Sequence, residues 1–369
     1  MQTAKSASQR ITSIDILRGM TIAGMILVNN PGGDEVYAPL EHAEWLGLTP
    51  TDLVFPFFMF IMGMTTYLSL RKYSFEWSWP CARKVLKRAL LLWGIGLGLS
   101  LLFMVCRGTA DPLGHLRILG VLPRLGICYG LAAVIALSVR HKYIPWLIAV
   151  AFVAYYIVLL TCNGFAHDQS NIIAVIDNAV FGPDHVYRHE SPDPEGLLST
   201  LPALAHVLTG FCVGRVVMEM RDINDKIERL FVIGAVLTFA GLLLAYACPI
   251  SKKLWTPTFA MTTCGMGSTL LALLTWLVDK KGRSGRATRF FEVFGCNPLA
   301  LFVLSDLLLL PFSIWPLCGG DTVQHAVTSD ILIPMAGAKG GSLLWAVLYV
   351  LVNWCVGLYM YKRKIYIKL

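Results

Sequence analysis

The chain has 369 residues, 56% of them hydrophobic and only 15% charged, with a mean hydropathy of +0.63. A soluble domain is about 45–50% apolar, so this composition excludes an ordinary globular enzyme and makes lipid the main solvent. The net charge of +8 needs no nucleic acid to explain it, because anionic lipid attracts basic residues to one membrane face.

Ten apolar runs reach about the 20 residues that cross a bilayer as helix. In chain order they are Ile11 to Asn30, Asp52 to Leu70, Val85 to Cys106, Leu116 to Ser138, Ile144 to Cys162, Leu198 to Met218, Leu230 to Cys248, Leu254 to Val278, Phe291 to Phe312 and Ser342 to Tyr361. The first is the weakest, since it contains Asp15 and Arg18. The expectation is an all-α polytopic membrane helix bundle of about ten transmembrane helices. It forms a single domain over residues 1–369, with no Pro- or Ser-rich linker and no separate soluble part.

Orientation follows from lysine and arginine, which cytoplasmic loops retain in excess. With a cytoplasmic N-terminus, 23 of the 31 basic residues fall on the inner side and six on the outer side, while Arg18 and Arg124 lie within spans. Both termini are therefore expected to be cytoplasmic. The polar N-terminus and charge-interrupted first run give no cleavable signal peptide. Outer loops are acidic, and the longest, from about Asn163 to Gly196, carries His167, His185 and His189. A cationic substrate would be drawn to that face.

Ten cysteines are scattered without a CxxC pair, so no metal site is expected. Cys106, Cys162, Cys248 and Cys318 map near the outer face and leave one disulfide open there. The sequence contains no P-loop, dinucleotide fingerprint or HExxH, which removes support for nucleotide hydrolysis, hydride transfer and metalloprotease chemistry.

The chemistry-bearing stretch is Tyr37 to Gly63, YAPLEHAEWLGLTPTDLVFPFFMFIMG. His42 lies in the first outer loop, ten residues before Asp52, where an imidazole can act as general base or acyl nucleophile; a solvated surface histidine is the plainer reading. Asp52 reads as the N3 acid of a capping box, Thr49-Pro50-Thr51-Asp52, and also as a carboxylate that orients an imidazole. Asn29 and Asn30 end the first run at the same level. Their amides suit either a helix cap or a donor to a carbonyl oxygen.

Arg124, beside Pro123, reads as roughly eight residues inside its span, about 12 Å along the axis, and a charge at that depth needs a partner. Asp15, Arg18 and Asp306 also sit at membrane depth, so an internal ion-pair network stands against contact with a bound anion. Arg83, Lys84, Lys87 and Arg88 stand at the inner entrance of the third span, where either lipid headgroups or a phosphorylated donor would meet them. Pro298, following Asn297, marks a second helix break beside a polar side chain.

These residues resemble a known group, the bacterial relatives of heparan-α-glucosaminide N-acetyltransferase. The resemblance rests on RITSIDILRGMTIAGMILVNNPGG (Arg10 to Gly33), LEHAEWLGLTPTDLVFPFFMFIMG (Leu40 to Gly63), GVLPRLGICYG (Gly120 to Gly130), FEVFGCNPLALFVLSDLL (Phe291 to Leu308) and the terminal YKRKIYIKL. It implies transfer of an acetyl group from cytoplasmic acetyl-CoA to the amine of a glucosamine-type sugar on the far side of the membrane. It places the essential histidine on His42, the neighbouring asparagine on Asn29 and the motif aspartate on Asp52. Arg124, Arg18 and Arg88 are the expected contacts of the donor. The implied setting is a bacterial inner membrane with the His42 loop in the periplasm. Lipid, acetyl-CoA and an amino-sugar or glycan acceptor are the expected partners, and a homodimer is compatible with a sequence that leaves oligomeric state open. The competing reading is a sugar or amino-sugar permease, since broken helices and charges at membrane depth suit alternating access as well.

Overall fold

The computed structural model describes residues 11–187, 192–316 and 320–367. No β-strand occurs among these residues, and one isolated bridge joins Pro316 to Thr322. The α-helices are α1 (Thr12–Asn29), α2 (Val54–Arg71), α3 (Trp79–Cys106), α4 (Val121–Ser138), α5 (Ile144–Thr161), α6 (Ile172–Phe181) and α7 (Thr200–Glu219). They continue with α8 (Ile223–Leu244), α9 (Pro257–Leu274), α10 (Arg286–Cys296), α11 (Pro298–Leu309), α12 (Val323–Val327) and α13 (Ile333–Lys362).

All ten apolar runs contain helix. By length and composition, eight helices among the described residues can cross a bilayer, or nine if the bent pair α10 and α11 counts as one span. Three details correct the sequence reading. The ninth run breaks at Asn297 and Pro298, where the two helices meet at 84°, because proline removes a backbone donor and cannot continue the α10 ladder. The tenth run extends back to Ile333, with a kink at Gly337, φ 73°. The fourth starts at Val121, not Leu116, since Pro123 belongs in a first helical turn, where a missing N–H costs nothing.

Small residues set the closest helix crossings, as packing without a hydrophobic drive between helices requires. A side chain on Gly63 of α2 would come within 2.0 Å of the Val207 carbonyl oxygen, and one on Gly210 of α7 within 2.2 Å of the Phe60 oxygen. Gly19 of α1 and Gly295 of α10 meet the same way, against Phe291 and Asp15 carbonyls. The helices α2, α4, α7 and α9 lie inside, each with most of its apolar stretch buried. The outer helices α3, α5 and α8 keep Leu86, Trp146 and Phe239 exposed, as lipid-facing surfaces do.

The Asn297 side chain donates to the Ile365 carbonyl and accepts from Ile367 N–H. Gly295, two residues before it, touches Asp15, so the start of α1 and the segment after α13 share one end of the bundle. The loop before α2, the segment between α5 and α7 and the loop between α8 and α9 converge elsewhere, around His42.

Candidate active site at the His42 loop

Residues 37–53 fold back on themselves before α2 begins. The Thr49 hydroxyl donates to the Glu41 carbonyl at 2.7 Å and the Thr51 hydroxyl to the Pro39 carbonyl at 3.2 Å. Pro50 opens a 3-10 turn, Pro50–Leu53, with the expected capping box between Thr49 and Asp52. Asp52 is fully buried and His42 half exposed, with Nδ1 2.7 Å from Asp52 Oδ1. The other carboxylate oxygen accepts the Ala43 and Thr49 backbone N–H groups, each at 3.1 Å. Both roles read from the sequence, cap and partner to the imidazole, therefore fall to one side chain. A carboxylate only accepts, so it selects the tautomer with hydrogen on Nδ1 and leaves the Nε2 lone pair free.

Lys252 completes this group and was not singled out from the sequence. Its Nζ lies 3.1 Å from His42 Nδ1, 3.5 Å from Nε2 and 3.4 Å from Asp52 Oδ1. Burial lowers its proton affinity below the ordinary lysine value, while Asp52 and Glu195 act in the opposite sense. The sequence offers only a weak signal for it: Lys252 and Lys253 are an adjacent basic pair in the short stretch between two apolar runs.

The segment before α7 is held by arginines. Arg117 grips both Asp193 and Glu195, the latter at 2.6 Å, and its guanidinium lies 4.6 Å over the Tyr187 ring. Burial pushes the Glu195 carboxyl up, but the charges of Arg117, Arg124 and Lys252 and the Arg117 hydrogen bond together outweigh it and the net shift is downward. Asp177 accepts Leu197 N–H at 2.7 Å, and burial pushes its carboxyl up to about 6. The expected outer-loop histidines are tied in as well: His167 stacks on Trp45 at 4.2 Å, and His185 lies 2.7 Å from the Leu116 carbonyl. His189 falls outside the described residues.

Arg124 is fully buried, but in the first turn of α4 and not about 12 Å inside a span, because residues before Val121 are not helical. One terminal nitrogen donates to the Gly196 carbonyl at 2.9 Å and to the Ser199 hydroxyl. The guanidinium lies 5.3 Å over the Trp255 ring, and its Nε and other terminal nitrogen have no hydrogen-bond partner. Asn29 ends α1 exposed, and no hydrogen bond joins it to His42. Its neighbour Asn30 is the buried one, closing the helix through Nδ2 to the Ile26 carbonyl at 2.7 Å.

Arg18 and Arg88 lie away from His42. Arg18 pairs with Asp15 at 2.5 Å, the expected i, i+3 contact. Arg88 sits 4.5 Å over the Tyr129 ring, eight residues along α4 from Val121, or about 12 Å. At the other end of α2, a cavity of about 1080 Å³ is lined by Thr12, Ser13, Arg71, Lys72, Arg221 and Lys226 among others. Among the described residues, no group of three or more His, Cys, Asp or Glu is placed to hold a metal ion. Cys106, Cys162 and Cys248 are free, while Cys318 lies outside the described residues.

Residues 10–248 match the profile of the family described as heparan-alpha-glucosaminide N-acetyltransferase, catalytic. The chain belongs to this family. It is 26% identical, over an alignment of 435 positions, to the heparan-alpha-glucosaminide N-acetyltransferase of Mus musculus, covering 100% of this chain and 62% of the relative. With the Homo sapiens protein of that name it shares 25% identity over 426 positions, 98% of this chain and 60% of the relative. The chain thus spans about three fifths of the length of the curated relatives it matches. Within the N-acetyltransferase profile lie His42, Asp52, Arg117, Arg124 and Glu195, whereas Lys252 follows its last matched residue.

Proposed function

We propose that this chain transfers an acetyl group from acetyl-CoA to the amine of a glucosamine-type sugar, with donor and acceptor reaching the site from opposite sides of the membrane. The observation that carries this reading is the buried Asp52 holding the half-exposed His42 ring by Nδ1 at 2.7 Å. That pairing leaves the Nε2 lone pair for an incoming acyl group or amine, with Lys252 Nζ 3.5 Å away. The names of the two relatives supply the transferred group, acetyl, and the acceptor class, a glucosaminide; acetyl-CoA is the donor that the N-acetyltransferase reading implies. They also disfavour the permease reading, for which no specific observation speaks.

In the reaction, the C–S bond of the thioester breaks and an N–C bond forms. The Nε2 lone pair either takes the acyl group before passing it on or takes the proton that the attacking amine loses. Asp52 holds the ring and stabilises the positive charge that develops on it. The exposed acids Glu41 and Glu44 beside His42 draw in an ammonium-bearing sugar.

Acetyl-CoA enters at the basic cavity, where Arg71, Lys72, Arg221 and Lys226 suit its phosphates. The 18 residues of α2 put that cavity about 27 Å from the His42 end, close to the thickness of a bilayer core. Arg18 and Arg88 stand at intermediate depth as contacts for the donor, and Arg124 offers its two unpartnered nitrogens near the acyl end. The distribution of basic residues supports cytoplasmic termini with the His42 loop on the opposite side, and the family resemblance implies a bacterial inner membrane as the setting.

The test is the purified chain in detergent with acetyl-CoA and glucosamine. His42-dependent release of CoA with formation of N-acetylglucosamine is expected; no product from the wild-type chain with any amino sugar, or product unaffected by loss of His42, overturns the reading.

A further inference from the structure

The loop between α8 and α9 has no task in the reaction so far, yet it is anchored firmly beside the imidazole. Gly47 N–H donates to the Ile250 carbonyl at 2.7 Å, the Ser251 hydroxyl to the Trp45 carbonyl at 2.7 Å and the Tyr155 hydroxyl to the Leu254 carbonyl at 2.5 Å. Trp255, buried at 1% exposure, holds a left-handed backbone with φ 51°, a strained conformation that such sites retain only when their surroundings enforce it.

Three bonds, on either side of it, thus fix the backbone that carries Lys252. Lys252 is only 17% exposed, and its contact with Asp52 does not explain it. The two Asp52 oxygens already receive His42 and the Ala43 and Thr49 N–H groups. An ammonium carries three donors and no acceptor, so Lys252 has donors beyond the one directed at Asp52. Since Asp52 engages Nδ1, chemistry falls to Nε2, and Nζ stands 3.5 Å from that atom. With Nζ that close to Nε2, the oxygen of an acyl group bonded to or approaching Nε2 can turn to within the roughly 2.7–3.1 Å reach of an oxyanion donor.

We propose that the Lys252 ammonium is the oxyanion donor of this site, receiving the negative charge that collects on the acyl oxygen as the carbonyl carbon becomes tetrahedral. The inference rests on the acyl-transfer reading above. A nitrogen lone pair, from the acceptor amine or from Nε2, forms the new C–N bond, and the carbonyl π pair moves onto oxygen beside Nζ. That pair returns to the carbon as the C–S bond breaks. CoA leaves as the thiolate. In direct transfer Nε2 takes the amine proton and passes it to the thiolate. In the two-step route the amine then attacks the acetyl carbon, the C–Nε2 bond breaks and the released imidazole passes the amine proton to the thiolate. Asn29, the amide donor expected from the sequence, is exposed at the end of α1 and has no bond to His42.

The charged groups around Lys252 are His42 and Asp52 from the first loop, Glu195 from the segment before α7 and Lys253 next in its own loop. Burial, which lowers its proton affinity, makes the donor sensitive to alkali.

The test compares Lys252→Met, Lys252→Arg and, as control, Lys253→Met in the full chain in detergent. With acetyl-CoA and glucosamine, Lys252→Met is expected to lose about 10²–10³-fold in kcat with little change in KM, while Lys252→Arg recovers part of it. Wild-type activity falls at alkaline pH as Nζ loses its proton, and Lys252→Arg lacks that fall. A second assay needs no CoA: acylation of His42 by 4-nitrophenyl acetate, read by nitrophenolate release and peptide mass, slows by a similar factor in Lys252→Met. Lys253→Met leaves both assays unchanged. If the wild-type chain fails with acetyl-CoA but His42 acylation depends on Lys252, the donor reading falls and the Lys252 proposal stands. Wild-type kcat in Lys252→Met overturns the proposal. So does equal loss in the Met and Arg variants with a lowered melting temperature, or acetyl found on Lys252 itself.

Discussion

Asp52 reaches His42 and the start of its own helix with the same carboxylate. Oδ1 lies 2.7 Å from the imidazole Nδ1, and Oδ2 lies 3.1 Å from the Thr49 nitrogen. Replacing Asp52 by Asn keeps one acceptor and loses the charge. Turnover is expected to fall about 10²–10⁴-fold, the scale of losing a carboxylate that orients a reacting imidazole, while the weaker cap costs about 1–2 kcal/mol. Initial rates and thermal unfolding in detergent separate the two effects.

His42→Ala is expected to abolish acetyl transfer with a stability change within about 1 kcal/mol. The ring is half exposed, and Asp52 retains Ala43, Thr49 and Lys252 as partners. Activity assays together with size-exclusion profiles check this; aggregation of the variant would make the histidine structural.

Asp177 sets a pH dependence. Its carboxyl is pushed up to about 6 by burial, so the stability linked to it is fully present below the unfolded value of about 3.9 and is lost as pH rises through about 6. Asp177→Asn should remove that slope and leave the chain about 1–3 kcal/mol more stable at pH 7.5, measured as melting temperature from pH 4 to 8.

Gly210→Val tests the crossing of α2 and α7. The new Cβ would meet the Phe60 carbonyl oxygen at 2.2 Å, a backbone atom that cannot swing aside, and the cost should be about 1–3 kcal/mol. A melting temperature equal to wild type would show that the helices part without penalty.

The bundle was legible because lipid imposes a coarse rule: a span must be long, apolar and helical, and hydropathy reads that directly. His42 and Asp52 were legible for a different reason, since ten residues of one loop separate them and Thr49-Pro50 announces where the next helix starts. Hydropathy misjudged α4, because Leu116 to Gly120 is apolar enough to read as span, although Pro123 is best placed in a first turn. That error carried Arg124 too deep. Asn29 and Asn30 could not be told apart by periodicity, since either can close a helix, and the buried one proved to be Asn30. Lys252 lies 210 residues from His42. Nothing local in a sequence reports a contact made by a loop folding over the end of a bundle.

The double duty of Asp52 couples architecture to reactivity. A side chain that both starts a transmembrane helix and steadies an imidazole passes any tilt or slide of that helix to the ring through hydrogen bonds alone, with no pliable linker to absorb it. Whatever rearranges α2 when cargo arrives at its far end is thereby delivered to Nε2 as a change of aim.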